Sequence, residues 1–277
     1  MKKALRFLKF SLITVLQLLQ LSCSKNVLSE LGSKSSDEAL LVDAQSAINR
    51  QDYQFAIDLI TLKMSLDYQQ KVNTKQTLAG AYAGKCGLNF LNYLDSISHA
   101  TTTSAFILVS LPFVGRISDP ISCLAALNIM ESIGPNASRT TSQNAFTALV
   151  GMALMGTATR VYTDNIPANG DGDQDAVGIS CTLTDAQMNN VVLGFGFMAQ
   201  NFSALSSTQL GAGATGLSSL IAKCSSASSG ASCVVTSAAA VTSPIRDGLR
   251  RLMNTTEYGV GTIVSGGNPA TIATACP

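Results

Sequence analysis

The side chains best placed for chemistry in this sequence are three alternating carboxylates, Asp171, Asp173 and Asp175, in the stretch NGDGDQD. Oxygen ligands at every second position are the spacing used by calcium loops, since that hard cation collects several oxygens. An EF-hand counted from Asp171 wants Gly at its sixth position and Glu at its twelfth. Those positions hold Ala176 and Thr182. Asp164 and Asn165 stand close enough in the chain to add oxygens, so calcium is the one cofactor the sequence raises. A solvated acidic turn between two helices is the other reading of the same residues. Nucleophilic catalysis needs a base beside a nucleophile, and His99 is the single histidine of the chain. Its surroundings, DSISHATTTS, carry no nucleophile-elbow pattern, and Thr61-Leu62-Lys63 lacks the S-x-x-K spacing of Ser–Lys hydrolases. The sequence therefore reads as non-enzymatic. Two glycine motifs are near misses. GAGATG at 211–216 matches G-x-G-x-x-G but follows SSTQL, which is no buried strand, and reads as a linker. GAYAGKC at 80–86 is one residue short of a phosphate loop and places Cys86 where Ser or Thr should meet magnesium.

The cysteines say more. The chain opens MKKALRFLKF, with Lys2, Lys3, Arg6 and Lys9, and continues into the apolar run SLITVLQLLQL. A charged segment, a short apolar segment and a small residue describe an export signal. Gln17 and Gln20 interrupt the apolar run, which falls short of the ~20 residues that span a bilayer. Ser22 then precedes Cys23, and LLQLSC resembles the lipobox of bacterial lipoproteins, although Gln20 stands where Leu is usual. The resemblance implies removal of residues 1–22, acylation of Cys23 with palmitate-type chains, and a polar tether over 23–38. Ser24 resembles the pattern of lipoproteins sent on to the outer membrane of Gram-negative bacteria, facing the periplasm. A simple cleaved signal with an incidental cysteine is the other reading.

Beyond Cys23 the chain has Cys86, Cys123, Cys181, Cys224, Cys233 and Cys276. An even number in an exported chain points to disulfides. Three bridges allow 15 connectivities. Only Cys224–Cys233 is favoured by position, because it flanks the pliable SSASSGAS. Zinc is excluded by the lack of any CxxC and by the lone histidine.

Residues 1–22 carry four of the 18 basic residues and none of the 17 acidic ones, so their removal leaves a net charge of −3. A mildly acidic chain without a basic patch is a poor nucleic-acid binder. Charged residues make up 13% of the chain, against about 25% in ordinary soluble domains. With no Trp and abundant Ala, Ser, Thr and Gly, the composition suits a tightly packed helical core.

The elements follow from spacing. Over 39–98, apolar residues recur at helical intervals: Leu41, Ala44, Ala47 and Ile48, then Tyr53, Ala56, Ile57 and Ile60 after the polar break at 49–52. A third helix is expected over 78–94. Ala44, Ala47, Tyr53, Ala56, Leu78, Ala79 and Tyr82 resemble the packing positions of a degenerate tetratricopeptide repeat, whose period is 34 residues. That resemblance implies a groove lined by Tyr53, Tyr82, Asn89 and Tyr93; a plain helical hairpin is the other reading. Further on, 104–117 and 140–159 read as buried helices, Thr184 as the cap of another, and Ser243-Pro244 as the opening of one more. The tail from Gly266 reads as loop. No segment alternates with period two, so the expected class is all-α, a bundle over 39–277 with its C-terminal part stapled by disulfides. The function expected is that of a membrane-anchored module for protein binding or assembly. The alternative is a ligand carrier, since the first helices resemble tetratricopeptide lipoproteins associated with TRAP transporters, with 104–117 and 140–159 lining a cavity.

Overall fold

The computed structural model describes residues 35–102, 104–116, 118–164, 174–211 and 213–276. The regular elements of these residues are all helical, with one isolated bridge between Thr255 and Ile263 and no strand among them. The chain opens with α1 (Asp37–Asn49), whose first turn is capped by Ser36 accepting from the Ala39 amide at 3.2 Å. α1 ends in a Schellman motif: Asp52 N–H donates to Ala47 O and Gln51 N–H to Ile48 O. The left-handed position of that motif, usually glycine, is Gln51 at φ 63°. α2 (Tyr53–Asp58) continues into a π-helical turn, Leu59–Lys63. After the short α3 (Leu66–Gln69) comes α4 (Val72–Lys85).

The helix expected over 78–94 is two helices. Gly87, at φ 102°, closes α4 in a second Schellman motif, with Leu88 N–H donating to Ala83 O and Gly87 N–H to Gly84 O. Asn89 then caps α5 (Phe90–Ser98) by accepting from the Asn92 amide. The segment 104–117 divides into α6 (Ala105–Ser110) and the 3₁₀ turn Leu111–Phe113, because Pro112 lacks the amide that would continue a helix. α7 (Pro120–Glu131) starts at the proline, with Asp119 as its cap.

The centre of the molecule is α8 (Thr141–Thr163) packed along α9 (Asp185–Asn201). Each opens with a capping box, Thr140 with Gln143 and Thr184 with Gln187. Every residue of α8 from Thr147 to Thr159 is buried, on all sides of the helix. A Cβ at Gly151 would overlap backbone atoms of Gly194 and Met198, so these glycines let the two helices approach backbone to backbone. No helix among the described residues is long and apolar enough to cross a membrane. α10 (Ser207–Leu210) and α11 (Gly213–Ala227) follow. Thus the GAGATG segment, expected as a linker, supplies from Gly213 the first turn of α11, and Gly211 ahead of it sits in a turn at φ 52°. α12 (Ser243–Met253) packs against α11 and α9, and the tail expected as loop holds α13 (Pro269–Ala273).

The six cysteines after Cys23 pair as Cys86–Cys123, Cys181–Cys276 and Cys224–Cys233, with Cα separations of 5.1, 5.4 and 6.1 Å. Their bridges tie α4 to α7, the C-terminal tail to the turn before α9, and α11 to the strand-less segment after it. Two apolar clusters form. The smaller gathers Leu41, Ala44, Ala56, Ile60 and Ala81 from the first hairpin and α4. The larger takes Ala79 and Ala83 of the same α4 together with residues from α5 to α13. α4 is therefore the wall between the two, and Tyr82 packs on both.

Candidate functional site

A cleft of about 810 Å³ opens between the turn of the first hairpin and the loops at the end of α4. One wall is Gln51 to Gln54, carried by the α1 Schellman turn and the first turn of α2. The opposite wall is made by Asn89 and Asn92 of α5 and by Arg116 and Asp119 ahead of α7. Gly84 and Lys85, in the last turn of α4, form the floor. A second hollow of about 420 Å³ shares Tyr53, Gly84 and Asn89 with the first and extends it toward Ile48 and Leu91.

Local sequence explains these positions. A Cβ at Gly84 would overlap the Tyr53 ring, so glycine is what lets Tyr53 lie on α4. Burial there raises the Tyr53 phenol above its usual range. Lys85 Nζ donates to Gln54 Oε1 at 2.8 Å, closing the floor against the hairpin wall. The opposite wall is clamped: Asp119 N–H donates to Cys86 O at 3.2 Å, and Cys86 is bridged to Cys123 in α7. The Asp119 carboxylate is committed to its helix, accepting from the Ile121 and Ser122 amides and from Ser122 Oγ. The lining combines side-chain amides (Gln51, Gln54, Asn89 and Asn92) with the charged Asp52, Lys85 and Arg116 and with the apolar faces of Tyr53 and Leu88. The Gln54 amide is already spent on Lys85 and Asp58. Each amide both donates and accepts. Such a surface satisfies polar main chain or side chains of a partner and carries no nucleophile beside a base.

Of the groove residues expected from sequence, Tyr53 and Asn89 line the cleft. Tyr82 is half-buried between the two cores. Tyr93 is not a groove residue: it is 1% exposed, its ring lies 5.5 Å from that of Phe113, and its hydroxyl donates to Val109 O at 3.5 Å. Burial holds that phenol well above its usual range. Cys23, Asp171 and Asp173 lie outside the described residues. Asp175 N–H donates to Thr163 O at 2.8 Å, which returns the segment to the end of α8. Asp164, the expected additional oxygen donor, is ion-paired with Arg160. Among the described residues no group of three His, Cys, Asp or Glu is placed to hold a metal.

His99 ends α5 at the surface, with Ser98 and Asp95 close by. Ser98 Oγ lies 3.1 Å and Asp95 Oδ1 3.3 Å from His99, and both contacts are to Nδ1. A catalytic triad needs the hydroxyl and the carboxylate on opposite ring nitrogens. Here both groups lie on Nδ1, so the three side chains are not arranged as a triad.

Sequence reasoning overlooked Gln51, Gln54, Lys85, Asn92 and Arg116. Two signals pointed to them: Gly87 followed by the capping Asn89, which marks a helix break, and Gly84, a small residue one turn before that break. No family model matches the chain, and neither a curated protein nor a solved structure does.

Proposed function

We propose that this chain is a bacterial lipoprotein whose helical body binds a protein partner in the cleft between the first hairpin and the α4–α5 junction. Cys23 carries the lipid and the residues from Cys23 to Ser36 are the tether, since the expected tether end at 38 falls inside α1, which starts at Asp37. The body works at the periplasmic face of the outer membrane as a binding or assembly module without catalytic chemistry. The observation that carries the reading is the open cleft of about 810 Å³, with both polar and apolar lining. It lies at the turn of the hairpin that resembles a tetratricopeptide unit, and proteins of that kind bind partners in grooves between helices. Carriage of an apolar ligand would draw on 104–117 and 140–159 as cavity walls. Phe106, Val109, Met152 and Leu154 from those segments are packed into the larger core with no exposure, which puts binding in the cleft first.

A photo-crosslinking residue at Asn92 tests the cleft in cells, with Val177, a residue 80% exposed elsewhere, as control. A discrete protein adduct from Asn92 alone is expected, and it should disappear with Gln54→Ala/Asn89→Ala. Equal adducts from both positions would remove the cleft from the function. Cys23→Ser should release the chain from membranes; membrane fractionation unchanged by that substitution would remove the lipid anchor.

A further inference from the structure

Asp37, the first residue of α1, is fastened to the far end of the hairpin: its carboxylate accepts from Ser65 N–H at 2.9 Å and from Ser65 Oγ at 2.5 Å. The tether therefore enters the body beside the link between α2 and α3. On either side of Ser65 stand Leu62 and Leu66, 72% and 77% exposed, and Val72 at the start of α4 is 48% exposed. Buried neighbours in the same stretch, Met64 and Tyr68, face inward, so the exposed leucines are the outward face of a formed structure. The exposed Lys63 and Lys71 accompany them, while Asp37 is engaged with Ser65 and Asp67 and Glu38 are the opposing carboxylates. The cleft lies at the other end of α1, about 20 Å away at 1.5 Å per residue.

We propose that this tether-side end of the hairpin, with Leu62, Leu66 and Val72 outermost, rests on the bilayer that holds Cys23, leaving the cleft directed away from the membrane. The inference rests on the acylation of Cys23 proposed above. Thirteen residues lie between Cys23 and Asp37, so Asp37 is never more than about 50 Å from the lipid attachment. A tether that short holds weak interfacial contacts at high effective concentration. Exposed leucines bury apolar surface at the headgroup boundary. The local charge is two lysines, one of them over the Tyr68 ring, against three carboxylates, so the contact rests on the leucines and the tether and not on attraction to anionic lipid.

The chain contains no tryptophan, so Leu62→Trp, Leu66→Trp and Leu91→Trp each report without background. Leu91, at 80% exposure beside the cleft, is the control. The mature chain from Cys23 is placed on vesicles of phosphatidylethanolamine and phosphatidylglycerol. Its native acyl group anchors it or, where flotation finds none, a maleimide lipid coupled to the Cys23 thiol does so. Flotation of the native chain judges the acylation, and tryptophan emission judges the contact. Blue-shifted emission, lost to brominated lipid, is expected for Leu62→Trp and Leu66→Trp, with Leu91→Trp unmoved. Emission indistinguishable among the three, or quenching of Leu91→Trp alone, would overturn the proposed orientation even in a chain that floats.

Discussion

Gln51 holds φ at 63° where the α1 Schellman turn calls for glycine. A side chain in the left-handed region costs about 1–2 kcal/mol, while glycine gives back part of that through the greater entropy of the unfolded chain. Gln51→Gly should thus raise stability by about 0.5–1 kcal/mol, read as a shift of the urea midpoint at constant slope. It should also weaken partner binding, because the amide at this position lines the cleft. Stability and binding moving in opposite directions would mark Gln51 as a residue kept for its contact. Arg139 is the opposite case, a charge kept for structure. Its guanidinium is buried and donates to Glu131 at 2.7 Å, Asn144 at 3.0 Å and Asn201 at 3.3 Å, tying the ends of α7, α8 and α9. Breaking a buried pair costs several kcal/mol. With Glu131 one-third exposed, Arg139→Ala should cost about 3 kcal/mol by denaturant titration.

Helix α4 shows how the elements constrain one another. Ala79 and Ala83 belong to the larger core and Ala81 to the smaller, and all three have no exposure. Ala79→Leu should overpack the contact with the main body and cost about 1–3 kcal/mol, measured as a lowered urea midpoint. The periodicities at Leu41, Ala44 and Ala47 and at Ala56, Ile57 and Ile60 announced the first hairpin, because a helix with one covered face prints its spacing on the sequence. Thr184 was legible as a cap from its own segment; Ser36 and Thr140 act the same way but were found only in the structure. α8 and α9 were legible as helices but not as partners: both are buried nearly all round, and their pairing includes the close meeting of Gly151 with Gly194, which no single segment encodes. The cleft was the least legible part. Its walls come from residues 51–54, 89–92 and 116–119, brought together by two helix ends and the Cys86–Cys123 bridge. No spacing within any one segment encodes that meeting. Tyr93 misled for a related reason, since a tyrosine at helical spacing looks the same whether its face meets solvent or Phe113.

At the scale of the molecule, acid and reduction are the two conditions that loosen this fold. Hydrogen bonds from Ser65 hold the Asp37 carboxyl below its ordinary value, and the Arg250 guanidinium does the same for Asp185. For Glu257, burial works upward, but the Gly266 amide and Ser265 bring the carboxyl down on balance. A lowered folded pKa contributes stability that is complete above the unfolded value and is lost as pH falls through the folded one. The melting temperature should therefore stay level from neutrality down to about pH 5 and fall below pH 4. Asp185→Asn should flatten that acid limb. Chain-entropy accounting for loops of 9, 37 and 95 residues gives about 2.6, 3.8 and 4.7 kcal/mol. Paired Cys→Ser substitutions should thus destabilise in the order Cys224–Cys233, Cys86–Cys123, Cys181–Cys276 by denaturant titration. The position of the first bridge has a mechanical side. Tension applied through an anchor at Cys23 enters at Asp37 and meets no covalent crosslink before Cys86. The stretch between them, about 50 residues, can pay out as roughly 170 Å of extended chain while the bridged body stays whole. One wall of the cleft, Gln51 to Gln54, lies on that yielding stretch, and the other lies beyond the first bridge. Drawing the chain out from its N-terminal side would therefore take the cleft apart before it reached a covalent bridge.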